Sequence, residues 1–390
     1  MLYLKDFDFK DKRVLVRCDF NVPFILSRWE KMEILDDFRI KESLPTIKYL
    51  IESGARVILI SHLTGPKKDK KYSIEPIAYR LKELLNKKIK FLDYCVGRGA
   101  EKTTKRLKPG EILLLENLRF HKEEEEGDLD FARQLAGLAD VYVNDAFSAS
   151  HRKHASIEGI PKFLPAVAGL LMEREIKVLS EILERPRRPL AVISGGAKIE
   201  TKIRLIDQFL QRADHLLLGS KLAEILLIEK GILVGEHLDL KKETRESIAR
   251  VDLTHPVLHL PVDGQMALAS LQEQYFRIGA IGTLRGEEDV FDIGPETRNM
   301  FIEIIKTAKT IVWNGPLGMV EKEPFDRGTK DIAEAIVKNQ EAFKVAGGGD
   351  TISMISRLDL MSQFNYVSSG GGAMMEFLAG ETLPGVAALK

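Results

Sequence analysis

The sequence predicts an α/β protein built from two doubly wound parallel-sheet lobes joined by a hinge helix, on three observations. Short runs of Val, Ile and Leu recur along the chain and end in turns; longer amphipathic stretches follow them; and a proline-bracketed helical segment divides the pattern near its middle. Continuous apolar runs suit strands buried on both faces, and helix-length connections suit right-handed crossovers between parallel strands.

In chain order the runs are 56–61 (RVILIS), 112–116 (ILLLE), 141–145 (VYVND), 190–194 (LAVIS), 215–219 (HLLLG), 310–314 (TIVWN), 343–346 (FKVA) and 366–368 (YVS). Between them, 128–139 sets Leu129, Ala132, Leu135 and Ala136 at helical spacing. Pro161 and Pro165 lead into a helical run over 170–183, and Pro186 and Pro189 in RPRRP stop it. Lobes at 1–169 and from 190 onward, joined by a hinge at 170–189, follow. An ordinary crossover helix inside one large domain is the alternative.

Composition limits the function classes. The chain has 390 residues, 44% hydrophobic, with 58 Lys and Arg against 58 Asp and Glu, so a polycationic nucleic-acid coat and an acidic tail protein are both excluded. Residues 1–169 carry 31 basic against 26 acidic side chains and residues 170–390 carry 27 against 32, a surplus followed by a deficit. Cys18 and Cys95 are too few for a disulfide framework or a four-thiolate metal site. With no signal-like N-terminal run and no stretch near ~18 apolar residues, the chain reads as cytoplasmic and soluble.

Open α/β sheets bind ligands beyond the carboxyl ends of their strands. In the first half those ends carry Arg17-Cys18-Asp19-Phe20-Asn21, Ser61-His62, Glu116-Asn117-Leu118-Arg119 and Asn144-Asp145, followed by His151-Arg152. Arg39, Arg119 and Arg152 with His62 can converge as a basin for a small, multiply charged anion, since guanidinium forks match phosphate and carboxylate oxygens. Taken singly, each arginine is more commonly a solvated surface residue. In the second half the strand ends are glycine clusters: 195–196 before Ala197-Lys198, 347–349 before Asp350-Thr351, and 370–372. One such pair is an ordinary tight turn; three in one lobe point to backbone amides approaching nucleotide phosphates at helix starts. Lys198 and Lys202 share one helix face, where a polyphosphate would offset their repulsion. Asp350 is placed to meet a magnesium ion, which takes carboxylate plus substrate phosphates. The familiar cradles are missing: there is no GxxxxGK[ST], no GxGxxG and no HRD or DFG.

Taken together, RCDFNVP (17–23), DDFRI (36–40), SHL (61–63), LLLENLRF (113–120), VNDAFSASHR (143–152), GGAKIETK (195–202), VWNGPLGMVE (312–321), AGGGDT (346–351), SSGGGA (368–373) and LPGV (383–386) resemble the phosphoglycerate kinase family over essentially the whole chain. The resemblance implies two Rossmann-like lobes. The first, 1–169, would bind the phosphoglycerate, and the second, 190–375, the Mg²⁺ nucleotide (ADP or ATP). The segment 376–390 would return to the first lobe. Substrate contacts would fall on Asp19, Asn21, Arg39, His62, Arg119 and Arg152. Nucleotide and phosphate contacts would fall on Lys198, Lys202, Asn314, Glu321, Gly347, Gly348, Gly349, Asp350 and Thr351, with Asp350 on the metal side and Glu321 on the ribose. The helix start at Gly370, Gly371 and Gly372 would face the migrating phosphoryl group, with Arg39 and Lys202 as the catalytic pair of a monomeric, hinge-bending enzyme.

Three departures from the family stand out. Gly65 replaces an arginine; Lys67 or Lys68 is a candidate substitute, a solvated loop being the commoner fate of such a run. Gly219-Ser220-Lys221 replaces a glycine pair or triplet near the purine. The bulky segment 24–34 replaces a short turn. The implied reaction joins 1,3-bisphosphoglycerate and ADP to 3-phosphoglycerate and ATP. A carboxylate nucleophile with pKa about 3.5 needs no general base, leaving positioning and charge neutralisation. The alternatives are a two-lobed anion-binding protein without chemistry and, more distantly, a nicotinamide oxidoreductase. The run Glu123–Glu126 reads as a solvated face.

Overall fold

The computed structural model describes residues 1–27, 32–65, 69–196, 199–233, 239–268 and 275–389. They form two compact units, one of residues 1–177 with the segment from Thr382 onward, the other of residues 178–381.

The first unit contains β1 (Arg13–Arg17), a hairpin of β2 (Phe24–Leu26) and β3 (Met32–Ile34), then β4 (Arg56–Ile60), β5 (Ile89–Leu92), β6 (Ile112–Leu115), β7 (Val141–Asn144) and β8 (Ala166–Ala168). Six of these make one parallel sheet in the order β5-β6-β4-β1-β7-β8. Its apolar runs are continuous because both faces are covered. Val14, Val16, Val57, Leu59 and Leu114 meet the helices Phe38–Glu52 and Glu75–Leu85 on one face. Leu15, Ile58, Leu113 and Tyr142 meet the helix Leu129–Ala136 on the other. This is the two-residue alternation of a strand sandwiched between helix layers. Strand order reverses at β1 and β7, so a ligand crevice is expected beyond Arg17 and Asn144.

The second unit contains β9 (Leu190–Ser194), β10 (His215–Leu218), β11 (Leu258–His259), β12 (Asp263–Leu268), β13 (Arg277–Ala280), β14 (Glu288–Ile293), β15 (Thr310–Asn314), β16 (Phe343–Gly347) and β17 (Tyr366–Ser368). A parallel sheet β11-β10-β9-β15-β16-β17 reverses at β9 and β15, whose ends are Ser194 and Asn314. Trp313, fully buried, belongs to its core and donates from Nε1 to Gly315 O at 2.9 Å. An antiparallel sheet β13-β12-β14 accompanies it, an element the sequence pattern did not foretell.

The connecting helix, Leu170–Glu184, begins in the first unit and ends in the second. Its first amides are held by side chains: Leu170 N donates to Thr46 Oγ1 at 2.9 Å, and Leu171 N and Met172 N donate to Asp145 Oδ1 at 3.0 and 3.4 Å. Glycine is required just before it, because a Cβ on Gly169 would stand 2.1 Å from that same Oδ1. At the far end of the chain, Gly385 N donates to Ser150 O at 2.8 Å, and Asn144 Nδ2 to Gly385 O at 3.4 Å. The returning segment starts at Thr382, while residues 376–381 stay with the second unit. Cys18 and Cys95 are free and buried, and burial pushes both thiols well up. Among the described residues no helix is long and apolar enough to cross a membrane.

Candidate functional site

At the reversal point of the first sheet, the chain leaves β1 as Cys18-Asp19-Phe20-Asn21 and buries the Asp19 carboxylate. Arg39, in the first turn of Phe38–Glu52, donates from Nη1 to Asp19 Oδ2 at 2.8 Å and to Asn21 O at 3.1 Å. Ser148 also donates to Asp19, and Asn21 N closes on Asp19 Oδ1 at 3.0 Å. Burial alone would raise this carboxyl; Arg39, the Ser148 hydroxyl and the Asn21 amide instead hold it down at about 2. Asn21 Oδ1 accepts from Thr64 N at 2.9 Å, tying the loop after β1 to the loop after β4.

His62 is buried with Nδ1 3.9 Å from Asp19 Oδ1. Burial first, then the charges of Arg17, Arg119 and Arg152, hold its pKa well below the usual value, although Asp19 opposes them. Arg119 and Arg152 are lowered as well, burial first, then by the charge of Arg17 on Arg119 against the opposing Glu125, and by the charges of Arg119 and Arg17 on Arg152 against the opposing Asp19. Asp19, Asn21, Arg39, His62, Arg119 and Arg152 are therefore brought together. Arg119 is paired with Glu125, yet its Nε is buried without a hydrogen-bond partner. Clustered like charges with an unspent donor are what a bound anion would compensate.

Three side chains that were not among the expected substrate contacts build this basin. Asn117 accepts from Leu63 N and Arg119 N, both at 3.0 Å, and donates to Leu63 O at 3.0 Å and Tyr72 O at 2.9 Å, joining the ends of β4 and β6. Arg17, wholly buried, donates from Nε to Ser156 Oγ at 2.8 Å and from Nη2 to His62 Nδ1 at 3.1 Å. Glu124 corrects the expectation of a solvated acidic face. It is fully buried, accepts from Ser156 N at 2.9 Å and Ser156 Oγ at 2.6 Å, and lies 4.0 Å from Arg17. Its turn, Lys122–Glu126, leaves the other glutamates at least partly exposed while one points inward. The available signal was Arg17 itself, a guanidinium at the end of an apolar strand, which demands a buried acceptor.

The departures also acquire physical form. A Cβ on Gly65 would lie 1.9 Å from the Tyr72 ring, so that ring fills the place a side chain would need. Tyr72 meets Phe24 of the hairpin edge to face at 5.7 Å, which gives the bulky segment a packing role. Lys67 and Lys68 lie outside the described residues, as does Lys198.

At the reversal point of the second sheet, Lys202 donates from Nζ to Gly195 O, and to Asn314 O at 3.2 Å. Asn314 Nδ2 donates to Gly347 O at 3.0 Å and Gly371 O at 3.2 Å, so one carboxamide pins two glycine turns. Thr351 Oγ1 accepts from Gly315 N at 2.7 Å. Gly348, at φ +97°, and Gly371, at φ +45°, precede the helices Gly349–Arg357 and Gly372–Leu378, where the left-handed backbone favours glycine. Gly347, Gly348, Gly349, Asp350 and Thr351 thus form the strand-to-helix turn after β16, and Gly370, Gly371 and Gly372 the one after β17. Asp350 is exposed in the first turn of its helix, and Glu321 is exposed in the loop after β15. Ser194 Oγ, at the end of β9, is buried with no hydrogen-bond partner among the described residues. Ser220 takes a left-handed backbone at φ +55°, and Lys221 Nζ is held between Glu224 at 2.9 Å and Asp289 at 2.9 Å.

The family model for phosphoglycerate kinase matches residues 4–381. A phosphoglycerate kinase of Pelotomaculum thermopropionicum is 44% identical over 391 residues, covering 99% of this chain and 98% of its own. One of Dictyoglomus turgidum is 43% identical over 397 residues, covering 100% and 98%. The crystal structure of phosphoglycerate kinase from Pyrococcus horikoshii superposes with a TM-score of 0.85 at 34% identity, covering 100% of this chain and 98% of that one.

Proposed function

The chain belongs to the phosphoglycerate kinase family, and from that premise we propose that it transfers a phosphoryl group reversibly between 1,3-bisphosphoglycerate and ADP, giving 3-phosphoglycerate and ATP. The observation that carries the assignment of sites is the convergence of Arg39, His62, Arg119 and Arg152 around Asp19. Such a basin suits the phosphate and carboxylate of a small triose acid. Asp19 holds the Arg39 fork, and Arg119 keeps one donor unspent.

The second unit takes the nucleotide. Backbone amides of the turn 347–351 and the start of Gly372–Leu378 present positive helix ends to phosphate oxygens. Asp350 would hold magnesium. Its single exposed carboxylate fits an ion that arrives with the nucleotide, since no group of three or more His, Cys, Asp or Glu able to hold a metal occurs among the described residues. Mg²⁺ supplies charge neutralisation on the phosphates when bound. Lys198, Asn314 and Glu321 complete the nucleotide contacts.

Transfer is in line and direct. Towards ATP formation ADP accepts and the carboxylate leaves; towards ATP consumption the acceptor carboxylate is already ionised, so the protein's work is to position the groups and stabilise the equatorial oxygens of a loose transition state. Arg39 from the first unit and Lys202 from the second do this, each contributing about 3 kcal/mol. With the substrates on separate units, bending about the helix Leu170–Glu184 brings them together. The enzyme works as a cytoplasmic monomer. A coupled assay with ADP and 1,3-bisphosphoglycerate tests the reading: ATP formation is expected, and 3-phosphoglycerate binding without turnover would reduce the protein to an anion-binding module.

A further inference from the structure

The anion basin rests on a buried relay that none of its expected substrate contacts explains. Glu124 accepts both Ser156 N and Ser156 Oγ, and Ser156 Oγ accepts from Arg17 Nε. The guanidinium then reaches His62 Nδ1 at 3.1 Å, with Nη1 on Cys18 O. Arg17 and Glu124 have no solvent exposure. A guanidinium stays protonated and can only donate, so the His62 nitrogen it faces must accept. A neutral imidazole accepting at Nδ1 carries its proton on Nε2.

We propose that Arg17 is a positioning residue that fixes His62 as the neutral Nε2–H tautomer, so that His62 presents a permanent N–H donor to the bound phosphoglycerate. Glu124 and Ser156 hold Arg17 in register for that task. The substrate half of this proposal rests on the phosphoglycerate kinase reading above.

Two protonation states compete with the fixed tautomer. Asp19 Oδ1, 3.9 Å from Nδ1, would favour a proton on that nitrogen or a doubly protonated ring. Arg17 blocks both by occupying Nδ1 as a donor and by its charge. Of the charged groups that face His62, Asp19 favours the imidazolium, while Arg17, Arg119 and Arg152 oppose it, and burial adds to their effect. Without Arg17 the ring is free to turn its proton toward Asp19, leaving a lone pair on Nε2 where an anion sits. The same histidine would then repel what it now binds. Lysine at 17 would keep a cationic donor but lose the fork that grips Ser156 and His62 together.

The test begins with the wild-type protein carrying ¹⁵N-histidine. Long-range ¹H–¹⁵N spectra are expected to give His62 the Nε2–H signature, unchanged from pH 6 to 8.5. A proton on Nδ1, or titration within that range, overturns the proposal without any variant. In Arg17→Met, with folding checked by circular dichroism, His62 should titrate or change tautomer. The ratio of variant to wild-type KM for 3-phosphoglycerate should climb at least tenfold between pH 6 and 8, with kcat changing less. Arg17→Lys should restore part of the lost affinity and flatten that ratio. A tautomer and a KM ratio indifferent to Arg17→Met would reduce the residue to core packing. If the wild-type protein shows no kinase turnover, the functional reading fails, while the spectra still decide the tautomer.

Discussion

Arg39 Nη1 and Asp19 Oδ2 stand 2.8 Å apart, the arginine half-buried and the carboxylate almost wholly so. The pair works in two ways. Asp19 aims the guanidinium, and Arg39 makes the buried carboxylate tolerable.

Arg39→Ala therefore has two expected consequences. kcat should fall by at least 10²-fold, about 3 kcal/mol of transition-state stabilisation. Stability should drop by about 2 kcal/mol as Asp19 loses its charged partner. Steady-state assays and urea unfolding measure these separately; a loss of kcat below tenfold would sink the catalytic role.

Lys202 sits where β9 and β15 diverge, its ammonium on Gly195 O and Asn314 O. These carbonyl contacts hold the ammonium at the strand ends, where the proposed role places the phosphoryl group. Lys202→Ala is expected to cut kcat by at least 10²-fold while the Kd for ADP moves by less than fivefold. Isothermal titration beside the coupled assay checks the split, and an equal loss in both would make Lys202 a simple binding residue.

Two buried carboxylates set opposite pH limits on stability. Asp19 is held at about 2, below its unfolded value, so it contributes above pH ~4 and that contribution fades as pH falls toward 2, about 2 kcal/mol in all. Asp145 is pushed up to about 7 by burial, despite the Thr46 hydroxyl and the Met172 and Leu171 amides that favour its charge. Its contribution is complete below pH ~4 and is lost as pH rises through 7. Asp145→Asn keeps an oxygen for those amides and removes the titration. Between pH 5 and 8 its unfolding free energy should fall less steeply with rising pH than that of the wild type, the difference closing below pH ~4. Parallel declines in both proteins would locate the effect elsewhere.

For Asp350→Asn, the apparent Mg²⁺ requirement of the reaction should rise about tenfold, with KM for 3-phosphoglycerate within twofold. Magnesium titrations at fixed ADP read this directly. An unchanged requirement would move the metal contact away from Asp350.

The parallel sheets were legible because a strand buried on both faces must be apolar throughout, as in 56–61 or 190–194. The antiparallel sheet was not. Asp263–Leu268 and Arg277–Ala280 mix polar, apolar and glycine residues, and their order comes from cross-strand pairing rather than a run. Glycine turns and arginines at strand ends pointed to the candidate site, since few other residue types suit anion contacts there. The relay beneath it stayed hidden. Glu124 looks like its three neighbours in a row of glutamates, and only the fold brings Arg17 and Ser156 to it. Gly65 was visible as a departure, but the Tyr72 ring that accounts for it lies farther along the chain.

The return of the C-terminal segment, from Thr382 onward, to the first unit bears on the order of synthesis. The first unit leaves the ribosome early, yet Ser150 and Asn144 wait for Gly385 until the whole of the second unit has been made. A nascent chain thus carries an unfinished first unit while its second has every residue it needs to fold. Completion of the first unit in this way waits on synthesis of the whole second unit.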